Sequence, residues 1–269
     1  MFSAVFLRFP LKGASYCMIE QWLFSTEELH PDFRRRVYIC TPPSYSTNPD
    51  TYYPVLYLFD GQNLFYDRDA SFGKSWNLAE YVEKSDPECI LVGIESNPFG
   101  NERLSEYSPF THNTPELGYI HGTARTTISW LLNELKPAID ESFRSMPDRD
   151  HTFIGGSSMG GLISLFGITA YNSEFSRALC LSPSLWVNPD KVRQMISNSK
   201  IEPHTLVYMD YGSEEMSNHA ATFDALLECT RLLLNRDVDL TFRIEPYGDH
   251  SEASWEKRVP IFMRCLGLA

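Results

Sequence analysis

The sequence places a serine in a local context that suits nucleophilic catalysis. Residues Gly156 to Gly160 read Gly-Ser-Ser-Met-Gly and fit the pattern G-x-S-x-G, which forms a sharp turn between a strand and a helix. Ser158 is therefore the candidate nucleophile, and the N–H of Met159 would point at an oxyanion formed on a substrate carbonyl. The pattern alone is moderately specific, because small residues between a strand and a helix also serve packing.

Two later turns offer partners for this serine. Glu214 and Glu215 follow one predicted strand, and His250 follows the last predicted strand in a Gly-Asp-His turn. A histidine can take the serine proton and pass it to a leaving group, because imidazole titrates near working pH. A carboxylate behind the histidine would fix its tautomer. The residues themselves leave Glu214 and Glu215 as alternatives for that acid.

These side chains need a sheet that brings the ends of several strands together. From residue 54 onward, predicted strands and helices alternate, which is typical of a mostly parallel sheet with helices on both faces. Two short aromatic and β-branched runs before residue 41 predict an antiparallel N-terminal edge. The predicted strands cover residues 22–25, 36–40, 55–59, 89–94, 152–154, 177–181, 206–210 and 240–245.

Helical patterns fill most of the intervals between these strands. Apolar residues at helical spacing predict one long helix over residues 120–143, with a kink at Pro137. The polar segment 95–117 predicts a long loop near the ligand. The other predicted helices cover residues 77–84, 189–197, 221–235 and 253–266, with one more beginning at Met159.

Composition narrows the class of protein. At 269 residues, with 43% hydrophobic residues, the chain suits one globular domain over residues 20–269, preceded by an N-terminal extension over residues 1–19. A net charge of −12 without a basic stripe argues against nucleic acid as a partner. Six scattered cysteines predict reduced, buried thiols and a cytoplasmic location. No uncharged apolar stretch is long enough to predict a membrane span.

Six motifs, taken in order, resemble the putative esterase family of α/β-hydrolases. This group contains esterase D, bacterial feruloyl and siderophore esterases, and the mycolyltransferases of the antigen 85 complex. The resemblance covers roughly residues 20–268. It depends on the motifs Leu56-Tyr57-Leu58-Phe59-Asp60-Gly61-Gln62-Asn63, Arg103-Leu104-Ser105-Glu106-Tyr107-Ser108-Pro109, Gly155-Gly156-Ser157-Ser158-Met159-Gly160-Gly161, Ser182-Pro183-Ser184-Leu185-Trp186, Tyr211-Gly212-Ser213-Glu214-Glu215, and Gly248-Asp249-His250 followed by Trp255.

The resemblance implies an α/β-hydrolase fold without a large cap domain, and it implies roles for further residues. The oxyanion hole would combine the backbone N–H groups of Met159 and Gln62. Alignment of the pattern after the strand that ends near Asp210 puts Glu215 at the acid position, where many relatives have Asp. Arg103 would contact a polar or anionic substrate group, or instead form an ion pair that pins its loop. The further candidates for substrate binding are Asn63, Trp76 and Trp186.

Together, the residues and the resemblance predict a serine carboxylesterase that hydrolyses small to medium acyl esters without metal or cofactor. Its partner would be a small-molecule ester, and the oligomeric state stays open, a homodimer included. The alternatives are an acyltransferase, a thioesterase or S-formylglutathione hydrolase that uses the same triad, and a non-catalytic binding module. An intact Ser, Glu and His set argues against the binding module.

Overall fold

The computed structural model describes residues 18–26, 30, 33–114, 118–215 and 219–269. The expected N-terminal extension over residues 1–19 lies outside the described residues as far as Cys17. Its last two residues, Met18 and Ile19, belong to the first strand. The described strands are β1 (Met18–Ser25), β2 (Arg34–Thr41), β3 (Val55–Phe59), β4 (Ile90–Ile94), β5 (His112–Thr114), β6 (Gly118–Ile120), β7 (Thr152–Ser157), β8 (Arg177–Leu181), β9 (Leu206–Gly212) and β10 (Asp239–Glu245).

Eight of these strands form one sheet in the order β1-β2-β4-β3-β7-β8-β9-β10. Strand β2 pairs antiparallel with both β1 and β4, and every other neighbouring pair in the sheet is parallel. The mostly parallel sheet with an antiparallel N-terminal edge is therefore confirmed. The strand order reverses between β3 and β7, because β4 lies on one side of β3 while β8, β9 and β10 continue beyond β7.

Helices cover both faces of this sheet, as expected. Alternate residues of β3 show this, since Val55, Tyr57 and Phe59 pack into one apolar cluster, whereas Leu56 and Leu58 pack into the other. Helices α2 and α9 contribute to the second cluster, and the longer helices between β6 and β10 contribute to the first. The described helices are α1 (Ser44–Thr47), α2 (Leu78–Ser85), α3 (Glu102–Tyr107), α4 (Ala124–Trp130), α5 (Lys136–Ser142), α6 (Met159–Ala170), α7 (Pro189–Asn198), α8 (His219–Leu234) and α9 (Glu252–Cys265).

The helix predicted over residues 120–143 starts later and is interrupted. It begins at Ala124 and passes through a π-helical turn, Leu131–Leu135, before α5. Pro137 lies in the first turn of α5. A proline lacks the N–H that the preceding turn would need and clashes with it, which accounts for the wider turn just before Pro137.

The segment predicted as a long loop contains more structure than its composition suggests. Helix α3 occupies part of it, and β5 and β6 form a small antiparallel hairpin after that helix. Two ion pairs anchor α3, one from Arg103 to Asp60 and one from Arg35 to Glu106. Tertiary contacts therefore stabilise a short helix whose own propensity is weak.

Buried cysteines behave as small apolar residues in this fold. Cys89, Cys180 and Cys229 are buried and form no disulfide within the described part of the chain. Burial raises the pKa of the Cys229 thiol to about 12, so this thiol stays protonated at neutral pH. No helix among the residues described here has the length and apolar character to cross a membrane.

A close approach between two backbones fixes the turn that follows β3. A Cβ on Gly61 would lie 2.5 Å from the carbonyl carbon of Gly93 in β4. We expect Gly61→Ala to lower the free energy of unfolding, because neither backbone can move without disturbing the sheet. The matched control is Gly73→Ala in an open turn with a φ of +70°, where only backbone strain of about 1–2 kcal/mol applies.

Urea denaturation of both variants would check this prediction. The loss at Gly61 should exceed the loss at Gly73. Equal losses would contradict the steric argument, since they would mean that the turn after β3 can relax away from β4.

Candidate active site

A cavity of about 540 Å³ lies at the carboxyl ends of β3 and β7, where the strand order reverses. Ligands of open α/β sheets bind at such points, because the two chain connections leave a crevice between them. Ser158, His250, Gln62 and Asn63 all line this cavity. The structure therefore brings together residues predicted from three separate parts of the sequence.

Ser158 occupies the turn between β7 and α6 with strained backbone angles. Its φ is +57° and its ψ is −121°, a conformation that L-residues rarely adopt. Its N–H donates to the Leu181 carbonyl at 2.9 Å, and its carbonyl accepts from Ser184 N–H at 3.0 Å. These bonds hold the turn, and the Ser158 Oγ lies 3.3 Å from the Ser184 Oγ.

The two glycines of the G-x-S-x-G pattern differ in how much space a Cβ atom would have. A Cβ on Gly156 would lie 2.8 Å from the Gly160 carbonyl carbon, so this glycine is required by the close approach of strand and helix. A Cβ on Gly160 would lie 3.3 Å from the Asp60 Oδ2, which is tight contact rather than overlap. A side chain at position 156 would therefore collide with α6, whereas one at position 160 would only make a tight contact.

His250 is paired with one of the two candidate glutamates. Its Nδ1 lies 3.1 Å from the Glu215 Oε2, and its side chain is 35% exposed. Its ring contacts the edge of Trp255, with the centroids 5.0 Å apart. Glu214, in contrast, is exposed to solvent.

The Glu215 side chain is fully buried and its carboxylate is held by several donors. The Oε1 atom accepts from the Gly212 N–H at 2.6 Å and from the Ser182 hydroxyl. The Arg258 guanidinium lies 3.5 Å from the same oxygen. Because Oε1 takes these donors, Oε2 is left to face His250.

The loops after β9 and β10 are joined by backbone hydrogen bonds, which fixes the distance between Glu215 and His250. Ser213 N–H donates to the Glu245 carbonyl at 3.0 Å, and Glu214 N–H donates to the Gly248 carbonyl at 2.9 Å. A Cβ on Gly212 would lie 2.3 Å from the Gly248 carbonyl oxygen. Only glycine at position 212 lets the two loops approach this closely.

Gln62 and Met159, the predicted oxyanion donors, lie on opposite sides of the strand reversal. Gln62 belongs to the turn after β3 and Met159 is the first residue of α6. The Gln62 side chain is bound to Ser96, donating to its hydroxyl at 2.9 Å and accepting from its N–H at 3.1 Å. The first N–H groups of a helix have no acceptor within the helix, which leaves them available to an anion.

Arg103 lines the cavity, but its guanidinium is bound to a carboxylate of the protein. It donates to both oxygens of Asp60 at 2.6 and 2.7 Å. Glu106, three residues further along α3, is instead bound by Arg35 at 2.7 Å. Arg103 thus pins helix α3 against the turn after β3, which is the second of the two roles expected for it.

The other candidates for substrate binding separate into one that lines the cavity and two that do not. Asn63 lines it and donates to the Glu252 Oε1 at 3.1 Å. Trp76 is 2% exposed and packs between Trp255 and Phe262, so the structure corrects its expected place in the pocket. Trp186 is 40% exposed and lies outside the cavity wall.

Two charged residues near the site carry no local sequence signal. Glu252 lines the cavity at the start of α9, and burial raises the pKa of its carboxyl, with Asp60 nearby acting in the same direction. Arg258 is fully buried one helical turn and a half further along. A Glu or Arg in an amphipathic helix is usually solvated, so neither residue could be picked out from the sequence.

Among the described residues, no group of three His, Cys, Asp or Glu side chains could hold a metal ion.

Arg258 connects the carboxylates behind the histidine. It donates to the Asp210 Oδ1 at 2.9 Å and to the Ser254 hydroxyl at 2.8 Å, and it reaches the Asp249 carbonyl at 3.4 Å. Burial raises the pKa of Asp210 to about 6, and the Arg258 charge acts in the opposite direction. The guanidinium thus compensates two buried acids, Asp210 and Glu215.

Solved structures of other proteins share the fold of this chain. An IroE-like serine hydrolase from Shewanella oneidensis matches with a TM-score of 0.73 at 18% identity, over 93% of this chain and 79% of that one. A ferulic acid esterase matches with a TM-score of 0.68 at 16% identity, over 94% of this chain and 98% of that one. Sheet, helices and their order therefore define an α/β-hydrolase fold. Among the described residues, only a short 3-10 turn separates β8 from α7, so no large cap is inserted there.

Sequence comparison gives the family. The profile of the family described as Putative esterase matches residues 30–262, and the chain belongs to this family. The uncharacterized protein YbbA of Bacillus subtilis strain 168 is 30% identical over 189 residues, which are 69% of this chain and 71% of YbbA. Membership makes the protein a hydrolase that acts on ester bonds.

We expect Arg258→Met to lower the free energy of unfolding by about 3–5 kcal/mol, because it leaves Asp210 and Glu215 buried without their cation. Urea denaturation at pH 7 would measure the loss. The control is Lys84→Met, which breaks a solvent-exposed ion pair with Glu80 and should change stability little. Similar values for the two variants would mean that the buried acids do not depend on Arg258.

Proposed function

We propose that this hydrolase is a serine carboxylesterase that acts on small to medium acyl esters through an acyl-serine intermediate. Ser158 is the nucleophile, His250 is the general base and acid, and Glu215 is the triad acid. The pairing of the His250 Nδ1 with the buried Glu215 carboxylate, at the edge of the cavity that Ser158 lines, is the observation that carries the proposal.

The mechanism follows from these positions. The Ser158 Oγ attacks the ester carbonyl carbon while the Nε2 of His250 takes its proton, and the N–H groups of Met159 and Gln62 stabilise the oxyanion. The tetrahedral intermediate collapses, the alcohol leaves with the proton from His250, and the acyl-serine remains. Water then attacks the acyl carbon, again with His250 as base, and releases the carboxylic acid.

Glu215 contributes by orientation and charge rather than by taking the proton. Its Oε2 accepts from the His250 Nδ1–H, which leaves the Nε2 of the neutral imidazole free of a proton and able to accept one. The donors on Oε1 keep the carboxylate in place while the imidazolium forms and decays. No cofactor or metal has a role in this proposal.

Removal of the nucleophile tests the proposal most directly. We expect Ser158→Ala to lower kcat on p-nitrophenyl acetate to butyrate by a factor on the order of 10⁶, as in the best-studied triads. A fluorophosphonate should label the wild type at Ser158 and leave Ser158→Ala unlabelled.

The matched control for both readouts is Ser184→Ala, which removes the neighbouring hydroxyl 3.3 Å from the Ser158 Oγ. This variant should still be labelled at Ser158. Turnover by Ser158→Ala at the wild-type rate would disprove the acyl-serine mechanism. Product analysis with added alcohols would show whether an acceptor other than water takes the acyl group.

The two adjacent glutamates allow a second test. We expect Glu215→Gln to lower kcat by about 10⁴-fold, because an amide can hold the imidazole in the wrong tautomer and cannot stabilise its charge. Glu214→Gln changes an exposed side chain that makes no contact with His250 and should retain activity. The reverse order of effects, measured by steady-state kinetics on the same ester, would assign the acid to Glu214.

A further inference from the structure

The cavity carries one carboxylate whose charge is not neutralised by a cation among the described residues. Apart from His250, the charged side chains that line the cavity are Asp60, Arg103 and Glu252. Arg103 is committed to Asp60 through two hydrogen bonds of 2.6 and 2.7 Å. The charged groups that face Glu252 are Asp60, His250 and Arg103, and none of them forms an ion pair with it. The cavity therefore has a net negative charge.

Glu252 is held in a fixed position at the cavity wall. It follows the N-cap Ser251 at the start of α9, two residues after His250, and is 8% exposed. Its Oε1 accepts from the Asn63 Nδ2 at 3.1 Å, and the Asn63 Oδ1 accepts from the Ser71 N–H at 2.9 Å. Its Oε2 accepts no hydrogen bond from another residue in the part of the chain that the structure describes.

A buried carboxylate without a paired cation discriminates between substrates by their charge. Burial without a cation disfavours the ionised form, so a bound group that donates hydrogen bonds and carries positive charge lowers the free energy of the complex. A second negative charge in the cavity would instead be repelled by Glu252 and Asp60. The Nε and Nη2 edge of the Arg103 guanidinium already meets the Asp60 carboxylate, so the charge of this arginine is compensated before a substrate binds.

We propose that Glu252 makes this site selective for esters that carry a protonated amine, over esters that are neutral or anionic at the same position. The ammonium group donates to the Glu252 Oε2 while the ester carbonyl lies at Ser158. This inference deepens the proposed function and rests on it.

The experiment compares three methyl ester series of matched chain length. Methyl ω-aminoalkanoates carry the ammonium group, methyl alkanoates carry a methyl group in its place, and monomethyl dicarboxylates carry a carboxylate there. Aminoalkyl and alkyl acetates repeat the comparison on the alcohol side. Acid release at pH 7 in a pH-stat gives kcat/KM for each ester, and the amino-to-alkyl ratio is the readout.

For at least one chain length we expect the wild type to favour the amino ester by about tenfold or more, the factor that one charged hydrogen bond provides. Glu252→Gln should reduce this ratio towards one. The matched control is Glu256→Gln, which removes the same charge one turn later in α9, where Glu256 pairs with Lys74 outside the cavity. Glu256→Gln should keep the wild-type ratio. A general loss of activity would lower kcat/KM for both esters equally and would not change the ratio.

Two results would overturn the inference and leave the esterase intact. One is that the alkyl esters are hydrolysed in a Ser158-dependent way while the amino-to-alkyl ratio is one or less at every chain length. The wild-type ratios are enough to give this result, without a Glu252 variant. The other is a high ratio that Glu252→Gln leaves unchanged. If no ester is hydrolysed and Ser158 is not labelled, the proposed function fails and this inference fails with it.

Discussion

The buried Arg258 guanidinium is the interaction on which the geometry of the site depends most. It bridges Asp210 at the end of β9, Glu215 in the loop that follows and the Asp249 carbonyl beside His250. Two buried carboxylates without a cation would take up protons or force the loops open. One side chain of helix α9 thus keeps two loops together and places a cation beside both buried carboxylates.

Backbone strain and close approach position Ser158 on the other side of this network. Ser158 keeps a positive φ because the end of β8, helix α6 and the loop after β8 all form hydrogen bonds with its backbone. Gly156 and Gly212 remove the Cβ atoms that would push apart the strand and helix at one turn and the two loops at the other. The cost of these conformations is distributed over a sheet of eight strands. The rigid sheet therefore presents the serine and the histidine at fixed positions.

The sequence predicted those features that depend on local chemistry. The turn around Ser158 and the Gly-Asp-His turn were located correctly because small residues at fixed offsets mark such turns. Arg258 could not be predicted, since its partners Asp210 and Glu215 lie 48 and 43 residues away. Trp76 was assigned to the pocket because an aromatic residue in a loop fits either pocket or core, and only its packing against α9 decides. Helix α3 was missed because tertiary ion pairs, rather than propensity, stabilise it.

Two buried carboxylates near the cavity, Glu215 and Glu252, differ in how their charge is compensated. Behind the histidine, Glu215 has Arg258 and several hydrogen bonds, so its charge is compensated before any substrate arrives. Two residues beyond His250, Glu252 accepts hydrogen bonds from the Asn63 amide and from its own backbone N–H. His250 and Arg103 favour its charge and Asp60 opposes it, but no cation forms an ion pair with it in the part of the chain that the structure describes. The first turn of α9 favours a carboxylate through the helix dipole, whereas burial opposes its charge. A ligand that supplies a cation would stabilise this buried carboxylate in the cavity that Ser158 lines, which is why we propose that the charge of the substrate decides its fit.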